Sequence, residues 1–200
     1  MLGNNTVSEE KSMIIYVVGM ACVGKTTIGR MLAERLGYTF FDLDEEVMKY
    51  YQKSIERLQS EHLTMYGFRE KAGVVLDHLL SKNIDCVIAG TPAGLKFAYN
   101  KVFKRHKKDK ELYSLYLYDT CENVLDRLTF YDVDSNPIEE PMSPAKRLRY
   151  LRDVKADFNY FKSSYDRADV QVSIENIPLS DIPEKICNIL VEQHVLPAGV

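Results

Sequence analysis

MIIYVVGMACVGKTTIGRMLAERLG, residues 13–37, changes character twice along its length. Met13 to Val18 is an apolar, β-branched run, Gly19 to Gly24 is a turn bounded by glycines, and Lys25-Thr26-Thr27 opens an amphipathic segment closed by Gly37. That order is strand, loop, helix. The turn satisfies G-x-x-x-x-G-K-[ST] at every position. Glycine at 19 and 24 permits backbone angles that side chains forbid, so the loop can close around a phosphate with its N–H groups inward. Met20, Ala21, Cys22 and Val23 supply backbone to the same cradle. Lys25 can reach β- and γ-phosphates as a mobile point charge, the Thr26 hydroxyl is placed for Mg²⁺, and Thr27 follows it into a helix whose positive end faces the site. ATP and Mg²⁺ are the expected cofactors.

The rest of the chain constrains what surrounds this site. Its 200 residues suit one domain with a single core, and 46% hydrophobic with 28% charged residues is a globular composition. A net charge of −3 gives no overall sign of a nucleic-acid partner. Cys22, Cys86, Cys121 and Cys187 are widely spaced and form no metal-type pattern, which fits a reduced, cytoplasmic setting. His62, His78, His106 and His194 form no H-x-x-x-H pattern either. Residues 1–12 contain no apolar signal core, and the apolar runs are strand-length, so neither export nor a membrane is expected. The division expected is a tail at 1–12, one P-loop domain at 13–194 and a tail at 195–200, acting as a monomer.

In chain order, Tyr38 to Asp42 reads as a second strand ending Asp42-Leu43-Asp44. Residues two apart on an extended backbone face one side, so both carboxylates are expected in one space beside the P-loop. Taken alone, they fit equally an acidic helix N-terminus leading into Glu45 and Glu46. Helices broken near Ser54 and Gly67 follow to residue 82, then a third strand, Asp85 to Ala89, running into Gly90-Thr91-Pro92. No acidic residue ends that strand, leaving Asp42 as the nearest carboxylate for Mg²⁺. Lys96 to Lys110 is a basic run interleaved with Phe97, Tyr99 and Phe103, read as an amphipathic helix with a solvated face. Tyr113 to Tyr118 is the fourth strand, and Thr120 caps the next helix. Residues 131–144, with three prolines, read as a loop suited to a lid near 131–145. Lys146, Arg147, Arg149 and Arg152 follow it, either closing on phosphates or solvated. Asp169 to Ile174 is the fifth strand, and Ser180 is expected to cap a last helix reaching about His194.

The run GMACVGKTTIGRMLAERLGYTFFDLD resembles the opening of shikimate kinases, down to the threonine pair and the F-x-D-x-D ending. The match is close over 13–44, and the order of elements extends it to about 194. The resemblance implies a three-layer α/β fold of the P-loop NTPase, nucleoside-monophosphate-kinase type, with a five-stranded parallel sheet. It implies transfer of the ATP γ-phosphoryl to a hydroxyl of a small molecule, shikimate being the first candidate. Lys25 and Asp42 would be catalytic, with Thr26 and Asp42 at the metal. Asp44 would hold acceptor hydroxyls, Arg69 of Phe68-Arg69 an acceptor carboxylate, and Gly90 and Thr91 would line the acceptor side. Arg127 would flank the nucleotide.

The chain departs from that pattern at several points. Gly-Gly-Gly after strand three is Gly90-Thr91-Pro92, the lid Arg-Pro is Asn136-Pro137, and the arginine four before Tyr165 is Phe161. Acidic positions are Met48 and Ala72. A kinase of the same fold with another acceptor, such as a sugar acid or nucleotide-like molecule, is therefore a rival expectation. A nucleotide-binding regulator without catalysis is the other.

Overall fold

A computed structural model of the chain describes residues 11–139 and 141–197. Most of the expected amino-terminal tail lies outside these residues, although Ser12 is buried. The expected tail beginning at 195 is corrected in part. Val195 and Leu196 turn back to donate their N–H groups to the Leu190 carbonyl and are buried.

The central strand β1 (Met13–Val18) is buried along its whole length, as an all-apolar strand covered on both faces must be. It is flanked by β3 (Cys86–Ala89) and β4 (Glu111–Tyr118), with β2 (Thr39–Asp42) and β7 (Val170–Ser173) at the edges. The order is β2-β3-β1-β4-β7, and every neighbouring pair is parallel. Such a sheet needs helical crossovers, which α1 (Lys25–Leu36), α4 (Met65–Ser81), α5 (Phe97–His106) and α7 (Pro144–Tyr165) supply, and α8 (Ile182–Glu192) follows the last strand. In register, Asp42 lies beside Ala89 and Val17 beside Ala89 on the other side. The carboxyl ends of β2, β3 and β1 thus open into one crevice, the place where open parallel sheets bind ligands.

Several boundaries differ from the sequence expectation. The Asp42 and Asp44 pair is not carried on extended backbone. Asp42 ends β2 and caps α2 (Leu43–Tyr51), accepting N–H from Asp44 at 3.0 Å, and Asp44 already lies in that helix. A break does occur at Ser54, which caps α3 (Ile55–Ser60). The next falls at Thr64 instead of Gly67, because Thr64 Oγ1 caps α4 by accepting from Tyr66 N. Gly67 sits in that helix against the His62 ring, where a Cβ would meet it. Thr120 caps α6 (Cys121–Asp126) as expected, through Asn123 N at 3.1 Å. Ser180 caps nothing; a 3₁₀ turn at Leu179–Asp181 intervenes and Asp181 occupies the cap position of α8.

The proline-rich loop contains a hairpin, β5 (Phe130–Tyr131) and β6 (Pro137–Ile138). The Asp132 carboxylate closes its turn by accepting N–H from Asp134 at 2.8 Å and Asn136 at 2.9 Å. Three contacts clasp the turn to α3: Ser54 Oγ donates to the Val133 carbonyl at 2.7 Å, Arg57 pairs with Asp134, and Ser135 meets Glu56. The basic run forms α5 and the residues after it. Its charges serve as anchors: Arg105 pairs with Asp77, Lys107 with Asp169, and Lys96 donates to the Tyr160 carbonyl.

Candidate functional site

The P-loop is shaped by its glycines. Gly19 has φ 152° and packs so tightly that a Cβ would lie 2.5 Å from the Leu117 carbonyl oxygen, while Gly24, φ 103°, is the cap residue of α1. Cys22 also takes a positive φ, 58°, between them. Met20 and Val23 are buried beneath the loop, whereas Ala21, Thr26 and Thr27 face outward. Lys25 is not the mobile charge that its sequence suggests. It is buried, and its ammonium donates to the carbonyls of Met20 at 2.7 Å and Gly19 at 3.1 Å. Burial lowers its pKa to about 8, against the opposing pull of Asp44, Cys22 and Asp42. The loop is thus held in shape by the cation that a polyphosphate would engage.

Opposite the loop, Thr26 Oγ1 donates to Asp42 Oδ2 at 2.6 Å. Asp42 Oδ1 is occupied by its cap, so its second oxygen is aimed at the threonine. Two hard oxygens side by side, next to a phosphate cradle, match the donor set that Mg²⁺ takes when phosphates and water complete its shell. Among the described residues no group of three acidic, histidine or cysteine side chains forms a self-sufficient metal cage.

Asp44, the second residue of α2, faces the other way, into a cavity of about 270 Å³. Burial, then Asp42, raises its pKa to about 6 despite the attraction of Lys25. The cavity draws Gln59 from α3, Phe68 and Arg69 from α4, Thr91 and Tyr99 from the β3–α5 connection and α5, and Asp157 and Phe161 from α7. Arg69 lies with Phe97 on one face, 4.6 Å from the ring centroid, and Phe161 at 6.0 Å. Phe97 takes a φ of 54°, a costly angle for an aromatic residue, and so brings its ring onto the guanidinium. Gly90, expected on the acceptor side, does not line the cavity. It is a contact point for Tyr16, whose ring lies 2.6 Å from where a Cβ would be.

A second cavity of about 220 Å³ lies on the opposite side of the P-loop, between Val23, Gly24, Thr27 and Arg127 and an apolar wall of Ile174, Ile177, Leu179 and Ile182. Arg127 donates to the Cys22 carbonyl at 3.2 Å and to Asp119 Oδ2 at 2.7 Å. Burial pushes the Asp119 carboxyl up, but Arg127, Asn123 and Thr120 together hold it below the usual range. Asp119 and the Ile174–Leu179 wall escape sequence reasoning, because nothing but the sheet order brings them to residue 23. Tyr99, Gln59 and Asp157 escape it for the same reason.

Other expected residues do not converge on the site. Arg147 pairs with Asp126, and Arg149 lies over Tyr150 at 5.2 Å. The Asn136 amide donates to the Asp132 carboxylate at 3.1 Å, so it closes the hairpin turn.

Comparison with known proteins agrees with this geometry. The shikimate kinase family model matches residues 21–187. The shikimate kinase of Persephonella marina is 31% identical over 162 residues, which is 80% of this chain and 88% of that protein. Shikimate kinase 3, chloroplastic, of Oryza sativa is 30% identical over 164 residues, 82% of this chain and 55% of that protein. The crystal structure of shikimate kinase from Aquifex aeolicus superposes with a TM-score of 0.68 at 26% identity, covering 92% of this chain and 99% of that one. Shikimate kinase from Acinetobacter baumannii in complex with shikimate gives 0.66 at 26% identity, with 90% and 94% covered. Since the family match runs from inside the P-loop into the last helix, Lys25, Asp42, Asp44, Arg69 and Arg127 all fall within it, and the chain belongs to the shikimate kinase family of ATP-dependent small-molecule kinases.

Proposed function

We propose that the chain moves the γ-phosphoryl of MgATP to a hydroxyl of a small hydroxylated acceptor in the 270 Å³ cavity, shikimate being the first acceptor to test. The observation that carries this is the placement of Asp42 and Asp44: the first engages Thr26 at the nucleotide side, the second faces the acceptor cavity, two residues away. Lys25 neutralises phosphate charge from within the loop, and the P-loop N–H groups from Gly19 to Thr27 orient the chain of phosphates. Thr26 and Asp42 hold Mg²⁺, which when bound spreads charge over the transferring group. Asp44 accepts a hydrogen bond from an acceptor hydroxyl, and Arg69 meets an acidic group. The Arg127 slot takes the adenine ring, whose flat apolar face suits Ile174, Ile177 and Leu179. The 130–138 hairpin serves as the lid.

The chain acts as a monomer in the cytoplasm, without nucleic acid or membrane. Arg105 and Lys107 of the basic run are paired within the fold, and among the described residues no helix is long and apolar enough to cross a membrane. One observation favours an acceptor other than shikimate: Phe161 and Asp157, rather than a second cation, face Arg69 across the cavity.

ADP release from MgATP, measured with shikimate and then with a panel of small hydroxylated acids, sugars and nucleotides, tests the proposal. Turnover with shikimate or another small acid or polyol supports it. MgATP binding with no turnover on any acceptor would replace it with the regulatory binding module. Asp42→Ala separates the roles; if activity survives, the metal-side assignment is wrong.

A further inference from the structure

We propose that Thr91 and Tyr99 form a hydroxyl-binding pair in the acceptor cavity, so that the acceptor is a small polyol or hydroxy acid presenting one hydroxyl to Asp44 and a second uncharged polar group to this pair. This deepens the phosphotransfer proposal and rests on it. Thr91 is 4% exposed and Tyr99 fully buried, and both line the cavity. Their hydroxyls are close enough to influence each other, yet neither makes a well-formed hydrogen bond to any protein group. Buried hydroxyls nearly always find partners, because leaving one unmade costs stability. Two unpaired in the wall of one cavity are a place for ligand atoms.

The surroundings hold this pair in position. Gly90 N donates to the Val17 carbonyl at 2.8 Å, Tyr165 Oη to the Pro92 carbonyl at 2.6 Å, and Leu95 N to Ser164 Oγ at 2.7 Å. The Thr91 loop is therefore tied to β1 and α7 on both sides. Tyr99 stays protonated near neutrality, since burial pushes its phenol up to about 12, and it offers a donor to the ligand. An anionic ligand group is disfavoured here. Asp44 adjoins the pair, Asp157 also lines the cavity, and the one cationic side chain lining it, Arg69, is already faced by two aromatic rings. The acceptor accordingly carries no more than one acidic group, directed to Arg69. A cavity just under the usual range for small-molecule sites argues against an acceptor as large as a nucleoside monophosphate.

Tyr16 supplies an internal control. Its hydroxyl is also buried and unpaired, behind Gly90, but it does not line the cavity. The test compares Tyr99→Phe, Thr91→Val and Tyr16→Phe with the wild type, by melting temperature without ligand and by steady-state kinetics on shikimate and the acceptor panel. All three variants are expected to melt about 2–4 °C higher, since each removes an unmade hydrogen bond. Only Tyr99→Phe and Thr91→Val should raise acceptor KM, by about 3–10-fold, with ATP KM within about twofold. Lower melting temperatures in both cavity variants, or an unchanged acceptor KM in both, would overturn the inference. If no panel member is phosphorylated, the phosphotransfer proposal fails, and calorimetric binding of the same panel decides this one. Binding that weakens in both cavity variants sustains it, and absence of binding to the wild type overturns it.

Discussion

The nucleotide side and the acceptor side of this site are built on different principles. The first is nearly all backbone from nine consecutive residues, Gly19 to Thr27, with one buried lysine locking the loop through two carbonyls. The second is assembled from side chains on five helices and a loop, none adjacent in sequence except Phe68-Arg69 and Thr91-Pro92-Ala93. A backbone site tolerates little variation in its motif, since the glycines are required by geometry. A side-chain site can change acceptor by single substitutions while its framework stays intact. The departures from the family pattern divide accordingly, with one exception: the P-loop is complete, Thr91, Pro92 and Phe161 belong to the acceptor side, and Asn136 lies apart in the hairpin turn.

The comparison is broken most severely at Lys25. Lys25→Met should lower kcat by about 10³-fold or more, measured by ADP release, because a preorganised charge at the transferring group is lost. The same variant should alter the pH dependence of stability. With a folded pKa of about 8 below an unfolded value of 10.5, the folded state binds fewer protons between them, so wild-type stability rises with pH across that window. Urea melts of Lys25→Met from pH 8 to 10 should lack that rise.

Asp44 sharpens the comparison next. Asp44→Asn should reduce kcat/KM for the acceptor about 100-fold and leave ATP affinity within about threefold. Wild-type kcat/KM should climb with pH through about 6 as Asp44 ionises and fall above about 8 as Lys25 loses its proton. The asparagine variant should keep only the alkaline limb. A wild-type profile flat from pH 5 to 7 would remove Asp44 from the acceptor's hydrogen bonds.

Smaller effects follow on each side. Phe161→Arg adds a second guanidinium facing the Arg69 side of the cavity, and a charge-assisted pair of about 1.5–3 kcal/mol should lower KM for shikimate by about 10-fold or more. No change would mean that acceptor carboxylates do not reach that corner. Asp119→Asn loosens Arg127 from the P-loop and should raise ATP KM about threefold to tenfold with the acceptor unaffected. Least of all, Asn136→Arg should change turnover less than about twofold, because that side chain is engaged in the hairpin turn and not on phosphate. A large gain in turnover would show that the lid does deliver an arginine.

Legibility from sequence divided along the same line. The P-loop could be read because its determinants are contiguous and their spacing is the structure. For Asp42 and Asp44 strand alternation does not hold, while the alternative of an acidic helix N-terminus does: a helix cap turns them to opposite sides of one boundary. Tyr99 was hidden in a basic, aromatic run whose periodicity marks a helix equally well with or without a cavity under it. Phe97 could not be anticipated, since an aromatic residue has no local preference for the left-handed φ of 54° that it takes. The 130–138 hairpin was missed because two-residue strands leave no period to detect, and Pro137 reads as a breaker although an edge strand accommodates it.

The clasp between that hairpin and α3 bears on timing. Exposed pairs and hydroxyl contacts of this kind contribute roughly 0.2–1 kcal/mol each, so Ser54, Arg57 and Ser135 together hold the turn by about 0.6–3 kcal/mol. That slows opening by up to about 160-fold. A motion of about microseconds, retarded to that extent, still outpaces turnovers of about 1–100 per second, whereas one of about milliseconds slows to about 6 per second and falls inside that range. The clasp therefore biases the hairpin toward shut and brings the release of a millisecond lid into the range of turnover, and raising the ionic strength should shift that bias before it touches the chemistry.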